Sequence, residues 1–390
     1  MQYRKFGKLD WQASALGFGC MRLPVIDGKM DSIDDPQAIG MVRKAIDNGL
    51  NYVDTAYAYH EGQSESFVGR MLKDGYRKKV RLATKMPAWL IKEKTDFDRY
   101  LNEQLERLQT DHLDLYLLHS MSGTRWPRLR DLGVREWAEE AIAGGRIGAI
   151  GFSFHDELPA FKQIVDDYDK WNFCQIQYNY LDIEHQAGTE GLKYAASKGL
   201  AVVIMEPLLG GALANPPEPV EKIFKDADPA RTPADWALQW LWDQPEISVV
   251  LSGMSTPEQV DQNITSAARS KIGSMSSDMQ SVIHRARATY EMLGVIPCTK
   301  CLYCQPCPHG VVIPQIFELF NQGVLTGQYW LSRDLYHHLS DGEKASNCED
   351  CGECEEVCPQ GILTSDWMPY LHEVLSNEKE YDGRKVPKPD

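Results

Sequence analysis

Eight of the ten cysteines fall between Cys298 and Cys358, and only Cys20 and Cys174 occupy the long stretch before them. This distribution cuts the chain in two. Residues 1–295 must fold without thiol chemistry, and residues 296–390 form a second, smaller domain organised by it. The start, Met1–Asp10, carries basic residues with no apolar run behind them, so no secretory signal is expected. A cytoplasmic location follows as an expectation, and in that compartment clustered cysteines are metal ligands before they are disulfides. No segment approaches the ~18 apolar residues of a membrane span. A net charge of -15 argues against nucleic acid or an anionic membrane as partner.

The first 270 residues hold eight short apolar runs: Ala15–Cys20, Asn51–Asp54, Val80–Thr84, Leu113–His119, Ile147–Ser153, Cys174–Tyr178, Ala201–Glu206 and Ile247–Ser252. Most are continuous rather than alternating, as parallel strands covered on both faces require. Stretches with helical spacing lie between them. Phe97, Leu101, Leu105 and Leu108 form one apolar stripe. Gly199 is placed to close a helix over Gly191–Lys198, and Thr256-Pro257 reads as a helix start. Eight strands alternating with helices predict an α/β fold, a (β/α)8 barrel. A Rossmann sheet is the alternative, weakened because no G-x-G-x-x-G follows the first run.

Chemistry in such barrels sits at the C-terminal ends of the strands. The second run ends in Asp54-Thr-Ala-Tyr57-Ala-Tyr59, the third in Ala83-Thr84-Lys85 and the fourth in Leu117-Leu118-His119. An Asp, a Tyr, a Lys and a His thus leave three consecutive strand ends on one rim. Here the sequence resembles the aldo-keto reductase superfamily, through Asp54-Thr-Ala-x-x-Tyr59, Glu65-x-x-x-Gly69, Leu105-x-x-Leu108-x-x-Asp111-x-x-Asp114-Leu115 to His119, and Gly151-Phe-Ser153. Gln175-x-x-Tyr178-Asn179 and Pro257-Glu258 to Asn263 also match. The resemblance runs from about Tyr3 to Ala268. It implies that Asp54, Tyr59, Lys85 and His119 are a catalytic tetrad. Tyr59 would give a proton to a carbonyl oxygen that gains charge as hydride arrives. Lys85 would ease ionisation of the phenol, Asp54 would hold Lys85, and His119 would position the substrate oxygen. Tyr57 is a rival phenol two residues away.

The same resemblance implies a nicotinamide dinucleotide, NAD(H) or NADP(H), across the barrel mouth. Ser153 and Gln175 would hold its carboxamide. Phe154 stands where many members have an amide, so Phe154-His155 would hold the ring differently, or His155 would face substrate. Pro207-Leu208-Leu209-Gly210-Gly211 reads as a pyrophosphate wrap, or equally as a plain left-handed turn. The adenosine end would contact Gly253, Ser255, Gln259 and Asn263. No basic residue lies between Ser252 and Ala268, which favours NADH over NADPH unless Arg269 or Lys271 folds back. Trp89 and Trp126 are candidates to line the substrate pocket.

The cysteines form two runs, Cys298-x-x-Cys301-x-x-Cys304-x-x-Cys307-Pro308 and Cys348-x-x-Cys351-x-x-Cys354-x-x-x-Cys358-Pro359. The second has the bacterial ferredoxin spacing and the first is one residue short of it. In two-cluster ferredoxins the fourth cysteine of each run serves the other cluster. One [4Fe-4S] cluster is therefore expected on Cys298, Cys301, Cys304 and Cys358, and a second on Cys348, Cys351, Cys354 and Cys307. Zinc is the alternative, but zinc arms are usually Cys pairs without a third cysteine. The stretch between the runs predicts helices over Ile313–Gly323 and Tyr329–Leu339, which pack the module or dock a redox partner protein. A barrel followed by a dicluster module resembles the iron–sulfur-containing branch of the aldo-keto reductases.

Three functions follow. The first is an oxidoreductase moving hydride between the nicotinamide and a carbonyl or alcohol, with clusters that are structural or exchange electrons. The second is an electron-transfer protein whose barrel is a docking scaffold, and the third is a sensor whose barrel binds ligand without turnover. Hydride carries two electrons and a cluster one, so direct coupling calls for an intermediary such as a flavin, and no flavin motif is readable.

Overall fold

Each of the eight apolar runs becomes a strand of one closed parallel barrel. The computed structural model describes residues 1–326 and 329–382. It divides into two compact units, Met1–Pro207 with Ala237–Met275, and Leu208–Trp236 with the described residues from Ser276 onward. The first unit holds a hairpin, β1 (Tyr3–Lys5) and β2 (Gln12–Ser14). The barrel strands follow: β3 (Leu16–Gly19), β4 (Tyr52–Asp54), β5 (Arg81–Met86), β6 (Leu113–Met121), β7 (Ile147–Phe154), β8 (Phe173–Gln177), β9 (Ala201–Met205) and β10 (Ile247–Ser252). They pair in chain order, and β10 closes on β3, which excludes the open Rossmann sheet. Among the described residues no helix is long and apolar enough to cross a membrane.

The hairpin is absent from the sequence expectations. Its Phe6 is fully buried, with ring centroids 5.1 Å from Trp11, 6.0 Å from Tyr52 and 5.5 Å from Phe173. Tyr52 and Phe173 open their strands, so Phe6 plugs the N-terminal end of the barrel. The opposite end is left for chemistry. Above the plug the barrel interior is filled by small and branched residues, among them Ala83, Leu115, Leu117, Ala149, Val203 and Val249. Close strand packing there needs glycine: a Cβ on Gly151 would sit 2.6 Å from the Phe173 carbonyl oxygen.

The covering helices follow the sequence with one correction. In Thr95–Arg107 the buried positions are Asp96, Phe97, Tyr100, Leu101 and Gln104, and Leu108 beyond its end is buried too, while Leu105 is only half-buried. Gln104 takes the inner place beside Leu101, because it has polar partners inside. The Thr256 hydroxyl accepts from the Gln259 N–H at 3.3 Å and starts Pro257–Ala268 as expected. The other expected helix runs over Gly188–Ser197, and Gly199 follows its end at φ +78°.

The second unit gathers Glu218–Ala227 and Ser277–Leu293 with the C-terminal helices Ile313–Thr326, Tyr329–His337 and Thr364–Leu375. Compactness therefore groups two segments N-terminal to residue 295 with the cysteine-bearing region. Ile313, Ile316, Phe317 and Phe320 are buried at the expected helical spacing, and Phe320 packs 5.7 Å from Trp367. These helices thus pack the module onto itself. Asn321 receives the Ile296 N–H and donates to the Ile296 carbonyl, both at 2.7 Å, pinning the chain just ahead of Cys298.

Candidate functional site

The register of β4, β5 and β6 brings three of the four rim residues together. Asp54 ends β4 opposite Ala83, and Lys85 pairs with Leu117 two residues before His119. Lys85 Nζ donates to Asp54 Oδ1 at 2.5 Å, to the Thr55 carbonyl at 2.9 Å and to Tyr59 Oη at 3.1 Å. All three partners of the ammonium are thereby protein oxygens. The Tyr59 and His119 rings meet edge-on at 6.0 Å, and Trp89, 38% exposed, lies 5.2 Å from His119. Asp54, Lys85 and His119 are 2%, 1% and 4% exposed. Trp126, by contrast, is buried against Trp171 and donates to Asp167, so it is a packing residue.

Burial sets the protonation of the site. It raises the Asp54 carboxyl, against the pull of Lys85 and of the Gln175 amide. It raises the Tyr59 phenol well above the ordinary range, with Asp54 and Glu206 adding and Arg22 opposing. This direction is opposite to the easing expected from Lys85. Burial also holds His119 well below the ordinary imidazole range, helped by Lys85, His155 and Arg125. His119 is therefore neutral at pH 7.

A polar network behind Lys85 fixes it. Buried Glu65 accepts from the Thr84 hydroxyl at 2.6 Å, Gln104 donates to the Lys85 carbonyl at 3.0 Å, and the Tyr116 hydroxyl donates to Gln104 at 2.6 Å. The Glu65-x-x-x-Gly69 spacing has a steric reason as well: a Cβ on Gly69 would lie 2.6 Å from the Arg107 carbonyl oxygen. Tyr57 is engaged elsewhere. Its hydroxyl donates to Glu103 at 3.1 Å and its ring lies 4.2 Å under the Arg107 guanidinium. Gln104 is absent from the sequence reading, where a polar residue beside an apolar stripe looks solvent-facing.

Of the residues assigned to a nicotinamide cofactor, Ser153, Gln175, Gly253, Ser255, Gln259 and Asn263 lie in the first unit, near or after the C-terminal ends of β7, β8 and β10. Ser153 and Gln175 are register partners on β7 and β8, both buried. The Ser120 N–H donates to Ser153 Oγ at 2.7 Å. Gln175 Oε1 and His119 Nδ1 are buried without a hydrogen-bond partner. Buried polar atoms are rarely left so, and both suit a polar ring substituent and a substrate oxygen. Beyond β10, the Ser255 N–H donates to Gln259 Oε1 at 2.7 Å and Asn263 donates to Ser252 Oγ at 3.0 Å. Ser255 Oγ donates to the Arg22 carbonyl at 2.7 Å, and a Cβ on Gly253 would lie 3.2 Å from Arg22 Cβ. Arg22, paired with Glu206 at 3.2 Å, is a cation the local sequence could not reveal there. Leu208, Gly210 and Gly211 lie in the second unit, at a turn over Leu209–Gly211. Gly210, at φ +64°, has room for no Cβ because the Thr299 carbonyl oxygen would be 2.7 Å away.

The cysteine runs share one backbone conformation. The residues two and four after the first cysteine have positive φ in both: Lys300 (54°) and Leu302 (65°), and Asp350 (52°) and Gly352 (74°). The Lys300 N–H faces Cys298 and the Asp350 N–H faces Cys348. Such amides oppose the rise that burial imposes on the thiols, and they suit sulfurs that bear negative charge. The thiols fall into two neighbourhoods. Burial pushes Cys298 up to about 11 and Cys304 up to about 12, and Cys301 and Cys358 add to both. Burial raises Cys348 also, with Cys307 and Cys351 adding, and Cys348 in turn raises Cys354. Cys304, Cys307, Cys348, Cys351 and Cys354 line a cavity of ≈ 170 Å³. Cys20 and Cys174 are buried in the barrel wall, and both thiols are raised by burial.

The barrel and its rim place the chain among (β/α)8 oxidoreductases, and comparison with known proteins narrows the class. Residues 15–281 match the model of the Aldo/keto reductase family, and residues 297–363 match that of a 4Fe-4S dicluster domain. The chain is 28% identical over 307 residues to the uncharacterized oxidoreductase YrpG of Bacillus subtilis (strain 168), over 68% of this chain and 90% of that protein. It is 28% identical over 303 residues to L-galactose dehydrogenase of Arabidopsis thaliana, over 72% and 92%. Among solved structures, the holo form of aldo-keto reductase AKR11C1 from Bacillus halodurans aligns with a TM-score of 0.58 and 26% identity, over 73% of this chain and 96% of that one. The chain belongs to the aldo/keto reductase family and carries a C-terminal 4Fe-4S dicluster domain.

Proposed function

We propose that the barrel interconverts a carbonyl compound and its alcohol, with Tyr59 as the acid. The observation that carries this reading is a phenol hydroxyl 3.1 Å from the buried Lys85 amine, which is itself locked to Asp54. A nicotinamide dinucleotide, when bound, supplies or accepts the hydride. The protein does the rest. The Tyr59 hydroxyl donates its proton to the carbonyl oxygen as charge develops there. Lys85 Nζ, already donating to Tyr59 Oη, stabilises the phenolate left behind. Asp54 keeps Lys85 charged and aimed. Neutral His119 offers a hydrogen bond that orients the substrate oxygen. In the reverse direction Tyr59 takes the proton back.

Ser153 and Gln175 would hold the carboxamide, and Leu208, Gly210, Gly211, Gly253, Ser255, Gln259 and Asn263 the remainder of the cofactor. We favour NADH, because no Lys or Arg lies between Ser252 and Ala268 and Arg22 is paired with Glu206. The thiol neighbourhoods support two [4Fe-4S] clusters with crossed ligation: Cys298, Cys301, Cys304 and Cys358 for one, and Cys348, Cys351, Cys354 and Cys307 for the other. When bound they supply one-electron carriers, for the fold or for a redox partner in the cytoplasm. On this reading 1–295 is the reductase part and 296–390 the cluster part.

Tyr59→Phe tests the reading against a non-catalytic barrel. It deletes one oxygen and leaves Lys85 bonded to Asp54 and Thr55. Carbonyl reduction should fall by about 10²–10⁴ while the visible iron absorption is unchanged. Unaltered turnover would remove Tyr59 from the mechanism.

A further inference from the structure

Beside the tetrad stands a second set of side chains that the proton and hydride chemistry leaves unused. Arg125, four residues past the end of β6, is half-buried. Its Nη1 donates to the carbonyl and hydroxyl oxygens of Ser120, each at 2.8 Å. Among the described residues its Nε and Nη2 donate to no protein atom, and no carboxylate pairs with it. The charge acting on it is another cation, Arg128, which donates to the Ile91 and Ala88 carbonyls. Arg22, Arg130 and Arg146 differ, being paired with Glu206, Asp167 and Asp98.

His155 follows β7 directly. Its Nδ1 accepts from the Gln186 amide at 3.3 Å, so the ring presents its Nε2–H. The His155 N–H donates to the Met121 carbonyl at 3.1 Å, next to the Ser120 that Arg125 holds, so both side chains leave neighbouring backbone directly after His119. Cationic groups and N–H donors thus converge from the ends of β5, β6 and β7. Lys85 is neutralised by Asp54, but Arg125 is not neutralised. A partly desolvated guanidinium without a counter-ion is costly, and its planar donors match a carboxylate or a phosphate.

We propose that Arg125 and His155 form a subsite for an anionic group that the substrate carries besides its reacting carbonyl. The substrate class is then oxo acids or phosphorylated aldehydes, with the corresponding hydroxy acids or phosphorylated alcohols. This rests on the hydride-transfer reading only for the nature of the reacting group.

The test begins with the unaltered protein and two matched pairs, 4-formylbenzoate against 4-methylbenzaldehyde, and glyceraldehyde 3-phosphate against glyceraldehyde. The anionic member of at least one pair should be favoured about tenfold or more in kcat/KM, chiefly through KM. Which pair responds separates carboxylate from phosphate. Arg125→Gln should collapse the preference ratio towards unity. Equal use of charged and neutral members, or a ratio that Arg125→Gln leaves unchanged, overturns the subsite and leaves the hydride reading standing. Calorimetry with 4-(hydroxymethyl)benzoate and glycerol 3-phosphate covers the remaining case. If no aldehyde turns over, the hydride reading fails. Tighter binding of either anion to the unaltered protein than to Arg125→Gln still supports the subsite, and equal binding overturns it.

Discussion

The Lys85–Asp54 pair is open to experiment twice over, because the proposed mechanism depends on it and because it is buried. Asp54→Asn keeps the shape of the side chain and removes its charge. Lys85 Nζ would then face the Thr55 carbonyl, the Tyr59 hydroxyl and a neutral amide, with 1% of its residue surface open to water. Breaking a buried pair by removing one partner costs about 3–5 kcal/mol, because the other charge stays in a medium that cannot solvate it. That is a large share of a total stability of about 5–15 kcal/mol. Hydrogen exchange of the amides of residues 81–86 reads this loss locally, which suits a chain of two compact units. Lys85→Met in the Asp54→Asn background removes the orphaned charge and should recover most of the loss, although neither variant turns over substrate. Two results would refute the reasoning: a single-variant cost below about 1 kcal/mol, the value for a solvated surface pair, or a double variant less stable than the single one.

Two further outcomes follow from the same structure. His155 is pushed down to about 3 by burial, with His185, Arg125 and Lys85 adding, whereas an unfolded histidine titrates near 6.5. Between those values the unfolded chain binds the extra proton, so the contribution is intact above about 6.5 and is lost as pH falls towards 3. Denaturation at a series of pH values should show His155→Gln lowering the acid-side slope by up to one proton; an unchanged slope would mean His155 is solvated. Crossed ligation makes Cys307 and Cys348 partners in one cluster, so Cys307→Ala and Cys348→Ala should each cost about half the iron in anaerobic analysis, and the double variant no more than either. Additive loss would show that each run holds its own cluster, and zinc without iron would replace the clusters altogether.

The barrel is legible in the chain because parallel strands covered on both faces must be apolar throughout, and runs such as Leu113–His119 and Ile247–Ser252 are. Asp54, Lys85 and His119 are legible because strand ends are where such a barrel places chemistry. Residues that act across the sequence are not. Gln104 looks like the polar edge of the stripe ending in Leu105 until Glu65, Thr84 and Tyr116 are seen around it. Arg22 lies far in sequence from Gly253, which it packs against, and only the fold shows that no carboxylate among the described residues pairs with Arg125. The hairpin over Tyr3–Ser14 is too short to carry a periodicity, although its Phe6 closes the barrel. The electrostatics of Tyr59 are likewise three-dimensional: Lys85 beside it in the sequence pattern suggests an eased phenol, whereas burial raises it. The paired positive-φ positions of the cysteine arms are hidden because the first arm fills them with Lys300 and Leu302, which do not favour that region.

The central claim is that hydride moves directly between the nicotinamide and the substrate carbon at this barrel mouth. NADH labelled with deuterium at C4, incubated anaerobically with the intact protein and 4-formylbenzoate, tests it by mass spectrometry of the product. The account predicts a benzylic alcohol that carries the cofactor's deuterium at the former carbonyl carbon, and none from Tyr59→Phe above background. Product whose new hydrogen comes from solvent, or oxidation of the cofactor with no alcohol formed, would contradict it.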